Sequence, residues 1–277
     1  MTHIETLRKN YHQQICQHLL FVDSQGVPNN ADKSSSLSTR IARAWLEQLP
    51  YSASQDAISG QTSGKRFEEL TAQFLEESFE QLRHLRPGDW RFEVHRRVEE
   101  FAQYEHLADL ALMLKDNKLL RSTLGDYIIL PDIILSRRPI EDAQINEHQE
   151  IVSPNSAPKY SPLRQVNSNS PLLHASISCK WTIRSDRSQN SRTEALNLIR
   201  NRKGHTPHIA IVTAEPLPSR LASIALGTGD IDCVYHVALP ELQAAVANDA
   251  SAQEMLEVLT DGKRLRDISD LPFDLAI

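Results

Sequence analysis

The sequence is poor in the features that define secreted, zinc-binding and membrane proteins. Its 277 residues include three cysteines, Cys16, Cys179 and Cys233, which lie far apart and form no CxxC or Cys/His ligand pattern. This argues against a disulfide framework and against a zinc site. No apolar run is long enough to span a membrane, and residues 1–20 carry charges and glutamines where a signal peptide would be apolar. We therefore expect a protein of the cytoplasm.

Motifs of small-molecule enzymes are missing as well. The sequence contains no Gly-rich phosphate loop, no GxSxG and no HExxH. Hydrophobic residues make up 40% and charged residues 24%, which is the composition of an ordinary globular protein and not of a disordered one. The length is compatible with one elaborated domain, so we predict a single domain over residues 1–277.

Charge is distributed unevenly along the chain. A net charge of −6 disfavours a nucleic-acid partner, because binding to phosphates requires a basic surface. Between Ser178 and His205, however, the sequence contains seven lysines and arginines but only two acidic residues. A basic cleft on an otherwise acidic protein would explain this pattern. On charge alone, a solvated basic helix explains it equally well.

Hydrophobic periodicity predicts an α/β fold. Apolar residues at helical spacing predict helices over residues 39–48, 65–84, 97–115, 193–203 and 218–226, and two acidic helices at the end of the chain. Strands are predicted over residues 126–135, 172–183, 208–215 and 233–239, with Pro131 ending or bulging the first of them. Residues 141–170 are rich in Asn, Ser, Pro and Glu and predict an irregular loop inserted into the fold.

Asp132 and Lys180 could converge on one site from neighbouring strands. Asp132 follows Pro131 at the end of a predicted strand, and Lys180 lies on the polar face of the next strand. A carboxylate in this position can bind a hard divalent cation, and a lysine beside it can orient a water next to a phosphate. Each residue alone has an ordinary explanation, as a turn aspartate or as a lysine extending from a strand to solvent. The two together are harder to explain in that way.

Two further acids could complete such a site. The acid that usually lies two residues before the lysine is missing, because Ser178 occupies that position. Glu194 follows Lys180 by fourteen residues on the next helix, which could return a carboxylate to the same place if it packs against the sheet. Glu68 lies at the apolar edge of its helix, where a half-buried carboxylate needs a partner. For Glu194 the alternative explanation is a favourable position near a helix N-terminus.

Several short motifs together resemble the PD-(D/E)xK nucleases. They are PD at residues 131–132, SCK at 178–180, RSDR at 184–187 and Glu194. The closest resemblance is to type II restriction endonucleases of the NgoMIV type, which recognise sites centred on CCGG and carry their second acid on a helix. NNAD, ending at Asp32, and GQTSGKRFE, over residues 60–68, extend the resemblance to about residues 29–220. It implies an α/β restriction-endonuclease-like fold, with a central mixed β-sheet flanked by helices.

The resemblance implies catalytic roles for six residues. They are the principal Mg²⁺ ligand Asp132, the main-chain carbonyl of Cys179 as a further ligand, the catalytic lysine Lys180, the displaced acid Glu194, the additional acid Glu68, and Ser178 in place of the usual acid.

The resemblance also implies two sets of DNA-reading residues. The RSDR segment, Arg184, Ser185, Asp186 and Arg187, matches the family's reader of CCGG, and we predict that it forms a turn after the catalytic strand. Base chemistry supports this role, because arginine pairs with guanine O6 and N7 while aspartate accepts from cytosine N4. The family residues that read the flanking G·C pair are matched in this sequence by Asp32, Gln61 and Arg220. Without the resemblance, Asp32 would be read as a helix cap and Gln61 as an ordinary loop residue.

The expected function is therefore a Mg²⁺-dependent type II restriction endonuclease that cuts double-stranded DNA at GCCGGC and leaves 5′ overhangs. A two-fold DNA site implies at least a dimer, and the resemblance implies a homotetramer of two dimers. Two alternatives remain open. A DNA-binding module without catalysis would not need Asp132, Lys180 and Glu194 together. A repair or recombination nuclease of the same fold would have no use for RSDR as a base reader.

Overall fold

Six strands form one sheet in the computed structural model, which describes residues 1–54, 59–115, 117–119, 122, 129–183, 185–227 and 229–277, with residues 185–189 described by their backbone alone. The strands are β1 Trp90–Val94, β2 Ile133–Arg137, β3 Leu172–Lys180, β4 His208–Thr213, β5 Cys233–His236 and β6 Leu265–Asp267. Their order in the sheet is β1-β2-β3-β4-β5-β6, which is also their order along the chain.

The sheet is mixed. β1 and β2 are antiparallel, with Trp90 opposite Arg137. β5 is parallel to both β4 and β6. Every residue of β5 is buried, as expected for a parallel strand that is covered on both faces. The predicted α/β fold with a central mixed sheet is confirmed.

Helices of very different lengths surround the strands. In the described part of the chain they are α1 His3–His18, α2 Ser36–Gln48, α3 Gly60–Glu80, α4 His106–Lys115, α5 Asp142–Ile145, α6 Ser185–Asn201, α7 Pro218–Ala225, α8 Leu239–Val246, α9 Ala250–Asp261 and α10 Leu271–Leu275. Short 3-10 helices occupy Val98–Glu100 and Ile268–Asp270. None of the helices in these described segments is long and apolar enough to cross a membrane.

The chain forms two compact units. The first comprises residues 1–86, 177–195 and 209–277, and the second comprises residues 87–176 and 196–208. The boundaries between the units fall after residue 86, inside β3, inside α6 and inside β4. The single domain over residues 1–277 stays a prediction.

In the first unit, α1 packs on α3. The Tyr11 ring stacks on Phe74 with 4.9 Å between centroids, and the Tyr11 hydroxyl lies 2.8 Å from Thr71 Oγ1. The apolar stripe predicted for residues 65–84 faces this contact and is buried, with Phe67 fully covered. The helix begins earlier than predicted, at Gly60, because the Ser59 side chain caps it by accepting from the Thr62 N–H.

Arg8 fixes α1 to the C-terminal part of the first unit. Its Nη1 and Nη2 donate to the two carboxylate oxygens of Glu241 at 2.8 and 2.6 Å, and its Nε donates to Asp267 at 2.8 Å. One guanidinium thus bridges two carboxylates in a setting largely removed from solvent. This cluster is structural and shares no residue with the predicted sites.

The second unit contains a row of three aromatic rings from β1, β3 and β4. His174 packs edge-on against both Trp90 and His208, with 4.9 Å between centroids in each case. His174 and Ser176 are buried, although strict alternation placed them on the polar face. The half-buried strand predicted for residues 172–183 is thus covered on both faces in its first half, and alternation becomes visible only near its end.

The predicted loop over residues 141–170 is held together by hydrogen bonds of the Arg164 side chain. Arg164 is buried and donates to both carboxylate oxygens of Asp142 at 2.9 and 2.6 Å and to the Pro158 carbonyl at 2.7 Å. Asp142 begins the short helix α5. A single buried guanidinium thus holds together a segment with little regular structure.

Candidate active site and DNA interface

Asp132 lies at the residue before β2. Its main-chain carbonyl accepts from the His95 N–H at 3.4 Å, next to the register pair Val94 and Ile133. Pro131 precedes the ladder, where the missing N–H costs no strand hydrogen bond. The three residues that follow Asp132 are completely buried, whereas Asp132 itself is half-buried. The carboxylate therefore lies directly before a buried strand. The strand predicted over residues 126–135 is wrong for residues 129–132, which form no strand, and residues 126–128 fall outside the described residues.

Lys180 is the last residue of β3. Ser178 and Lys180 are half-buried, whereas the Cys179 side chain between them is 6% exposed. The alternation predicted for this end of the strand is confirmed, with the serine and the lysine on the accessible face.

α3 packs against the segment directly after Lys180. The ring of Phe67 meets the indole of Trp181 edge-on, with 5.3 Å between centroids. Glu68, the next residue on α3, is half-buried. Thus the acid predicted at the apolar edge of this helix adjoins the contact between α3 and the residue directly after β3.

Glu194 lies on α6 and is half-buried between the covered residues Ser191 and Ala195. Arg192, on the same helix, donates to Asp230 at 2.7 Å and to the Ile224 carbonyl at 3.0 Å. This arginine belongs to the basic segment that suggested a nucleic-acid partner. Its contacts show that part of the positive charge on α6 is used to fix the helix to the protein.

The proposed metal donors are hard oxygen atoms, the Asp132 carboxylate and the Cys179 carbonyl. Among the residues that the structure describes, no group of three or more His, Cys, Asp or Glu side chains is positioned to hold a metal ion. Mg²⁺ needs no such group, because it commonly binds through one or two protein oxygens, waters and substrate phosphates. The donor chemistry therefore fits Mg²⁺ and does not fit a zinc centre.

The RSDR segment differs from the prediction in one respect. Arg184 lies outside the described residues, but Ser185, Asp186 and Arg187 form the first turn of α6. The predicted turn is therefore wrong for these three residues. An acid such as Asp186 interacts favourably with the positive end of a helix, and this local preference competes with the turn. The structure describes only the backbone of these residues, so their role as base readers stays a prediction.

Asp32 and Arg220 are brought together by the fold. Arg220 Nη2 donates to Asp32 Oδ2 in an ion pair between residues 188 positions apart. The side chains keep 30% and 24% of their surface exposed, for Arg220 and Asp32 respectively. Both line an open cleft of about 820 Å³, and Thr182, two residues after Lys180, lines it too. Gln61 is exposed in the first turn of α3 and does not line this cleft.

Glu215 is a buried acid that the sequence analysis missed. Its Oε2 accepts from the Ile183 N–H at 2.8 Å, and its Oε1 accepts from the Leu217 N–H at 3.1 Å. Arg220 Nη1 lies 3.9 Å from Oε2. Burial raises the pKa of Glu215 to about 7, against the lowering effect of the two N–H donors and of Arg220. The available signal was an acid at the end of the apolar strand HIAIVTAE.

Comparison with known proteins identifies the family of the chain. The family model described as NgoMIV restriction enzyme matches residues 11–277. The type II restriction enzyme NgoMIV of Neisseria gonorrhoeae is 48% identical over 279 residues, which cover 98% of this chain and 97% of that protein. The chain belongs to the NgoMIV restriction enzyme family and is a type II restriction endonuclease.

Proposed function

We propose that the enzyme cleaves double-stranded DNA at GCCGGC in the presence of Mg²⁺ and leaves 5′ overhangs. The observation that carries the proposal is the pairing of Asp32 with Arg220 on the wall of one cleft. Both residues match readers of the flanking G·C pair, yet they come from distant parts of the sequence. Their meeting supports a single recognition site.

The chemistry of this pair suits a G·C base pair. Arginine donates to guanine O6 and N7, and aspartate accepts from cytosine N4, so the two side chains can read both bases. Without DNA, each side chain satisfies the other. Arg220 has five N–H donors, so it can contact guanine while it still orients Asp32. Gln61 is a third candidate for the flanking base pair, as a donor and acceptor at the start of α3.

Reading of the central CCGG is assigned to the start of α6. Arg184 and Arg187 would donate to guanines, and Asp186 would accept from a cytosine. Ser185 lies between them and is proposed to contact DNA as well. The N-terminus of a helix is its positive end, which favours approach to the phosphate backbone.

Cleavage is assigned to the residues around the end of β3 and the start of β2. Asp132 and the Cys179 carbonyl would hold Mg²⁺, which stabilises negative charge at the scissile phosphate when it is bound. Lys180 orients the attacking water. Glu194 supplies the acid that Ser178 does not provide, and Glu68 supports the site from α3.

Assembly follows from the symmetry of the DNA. A palindrome is read by two copies of one chain related by a two-fold axis, so the active form is at least a dimer. We propose a homotetramer of two dimers, each holding one DNA duplex, acting in the cytoplasm. The whole chain acts as one endonuclease domain that carries an insertion at residues 141–170.

A digestion of plasmid DNA tests the proposal. A plasmid of known sequence with GCCGGC sites is incubated with the enzyme and Mg²⁺, and the cut ends are sequenced. Cleavage only at GCCGGC with 5′ overhangs is expected, and chelation of Mg²⁺ should stop it. A second plasmid with every GCCGGC changed in its outer base pair is the control. Equal cutting of both plasmids would contradict the assigned flanking specificity.

A further inference from the structure

Glu215 touches both parts of the recognition surface. One carboxylate oxygen holds the Ile183 N–H, directly before the segment that begins with Arg184. The other accepts from the N–H of Leu217, which occupies the N-cap position directly before α7. Arg220 lies in the first turn of α7 and approaches the first of these oxygens at 3.9 Å. One buried side chain is thus connected to both reading elements.

The segment around Glu215 also holds the loop that carries Asp32. Asn30 is 1% exposed, and its Nδ2 donates to the Ala214 carbonyl at 2.9 Å. The Glu215 N–H itself donates to Thr213 Oγ1 at 3.1 Å, which fixes its main chain at the end of β4. Residues 214–217 therefore form a bracket, with contacts to the Asp32 loop, to Ile183 after β3, and to the start of α7.

We propose that Glu215 is a positioning residue that couples reading of the CCGG core to reading of the flanking base pair. The inference rests on the proposed function, in which RSDR reads the core and Asp32 with Arg220 reads the flank. A shift of either element on an incorrect base pair is transmitted through Glu215 to the other element. Specificity at the two positions is then cooperative.

A carboxylate is suited to this position because it offers an acceptor on each of two oxygens. Glutamine retains only one acceptor oxygen, and its NH₂ group would face an N–H donor. One of the two buried N–H groups would then lose its partner, which a fully covered position does not tolerate without movement. Glu215→Gln should therefore loosen the bracket without changing any residue that contacts DNA in the proposal.

The experiment measures coupling between base pairs. Single-turnover cleavage rates are measured on four duplexes: the cognate site, one with a substituted core pair, one with a substituted flanking pair, and one with both. If the two base pairs were read independently, the fold-loss of cleavage rate on the doubly substituted duplex would equal the product of the two single fold-losses. For the wild type, we expect the double loss to be at least about threefold smaller than that product. In Glu215→Gln, the fold-loss of cleavage rate on the doubly substituted duplex should equal the product of the two single fold-losses.

Glu241→Gln is the matched control. It removes a carboxylate oxygen from the Arg8 cluster of the same unit, away from Ile183 and Arg220, and should retain wild-type coupling. Glu215→Asp keeps both oxygens but withdraws them by one methylene, and should show reduced coupling. It decides the question if thermal unfolding shows that Glu215→Gln is not folded.

Three results would overturn the inference. A wild-type double loss equal to the product of the two single losses would show that the two base pairs are not coupled. Unchanged coupling in the folded Glu215 variants, or equal loss of coupling in Glu241→Gln, would remove Glu215 from its role. If the wild type cleaves all four duplexes equally, the proposed function fails as well, and this outcome is distinguishable because it appears before any variant is compared.

Discussion

Asp32 and Arg220 form an ion pair in a cleft that also reaches Thr182, two residues beyond Lys180. The pair joins a loop near the start of the chain to the first turn of α7. Both side chains remain partly exposed, so DNA can reach them without unfolding the site.

Arg220→Ala should relax discrimination at the flanking G·C pair. Loss of a bidentate contact to guanine costs about 1–3 kcal/mol of discrimination at that position, while preference for the CCGG core is largely retained. The measurement is cleavage of duplexes that differ only in the outer base pair. Arg40→Ala is the control, because it removes an exposed arginine that pairs with Asp249 on the surface. Equal effects of the two substitutions would contradict the reading role.

Lys180→Ala should abolish cleavage while it leaves sequence-specific binding largely intact. The lysine is assigned to the attacking water, and the base contacts come from other residues. Cleavage rate and duplex binding are measured on the same preparation, with Lys159→Ala as a control at an exposed lysine. Cutting at a near wild-type rate would remove Lys180 from the catalytic site.

Asp132→Ala should remove the response of the enzyme to Mg²⁺. The wild type should lose activity on chelation and regain it when Mg²⁺ is added, whereas the variant should stay inactive over the whole titration. Asp89→Ala is the control, because Asp89 pairs with Arg91 on the surface of the same unit. An Asp132 variant with wild-type Mg²⁺ dependence would exclude this residue as the principal ligand.

Stability should depend on pH through Glu215. Burial raises its pKa from 4.5 to about 7, so the folded protein holds a proton that the unfolded chain releases between these values. Its contribution to the free energy of unfolding is therefore complete below about pH 4.5 and declines as the pH rises to about 7. Glu215→Gln lacks this decline, so the wild type should lose stability relative to the variant between pH 5 and pH 7.

Chemical denaturation of both proteins at several pH values measures this difference. The comparison with the variant is required because burial lowers the pKa of His236 to about 4, which gives an opposite slope below pH 6.5. That slope is present in both proteins and cancels in the difference. A difference that stays constant from pH 5 to pH 8 would show that Glu215 does not titrate in this range.

The sequence predicts the long, periodic elements, but it extends β3 beyond Lys180 and places Asp132 at the end of a strand, whereas Asp132 lies directly before β2. The stripe of α3 is buried as expected, and Ser178 and Lys180 share the accessible face of β3. β6 was not predicted, because a strand of three residues has too few positions to display alternation. The start of α6 was predicted eight residues too late, since RSDR carries no apolar periodicity.

The residues of the candidate site were predicted in two ways, from local chemistry and from resemblance to a family. Asp132 and Lys180 followed from the chemistry of strand ends, whereas Asp32 and Arg220 followed only from the resemblance to a family. No local pattern connects residues 188 positions apart. Glu215 was missed because an acid after a strand is usually solvated, and its burial depends on contacts with Ile183 and Leu217 that only the fold creates.

The most direct test of the account is a binding series on duplexes that vary one base pair at a time across GCCGGC. Wild type, Arg187→Ala and Lys203→Ala are compared, with Lys203 as an exposed lysine beyond the end of α6. Arg187→Ala should lose about 1–3 kcal/mol of discrimination at one core base pair, and Lys203→Ala should weaken binding to all duplexes alike and flatten the salt dependence. If Arg187→Ala weakens every duplex equally, or if the wild type does not prefer CCGG over a scrambled core, RSDR binds phosphates and the central claim is contradicted.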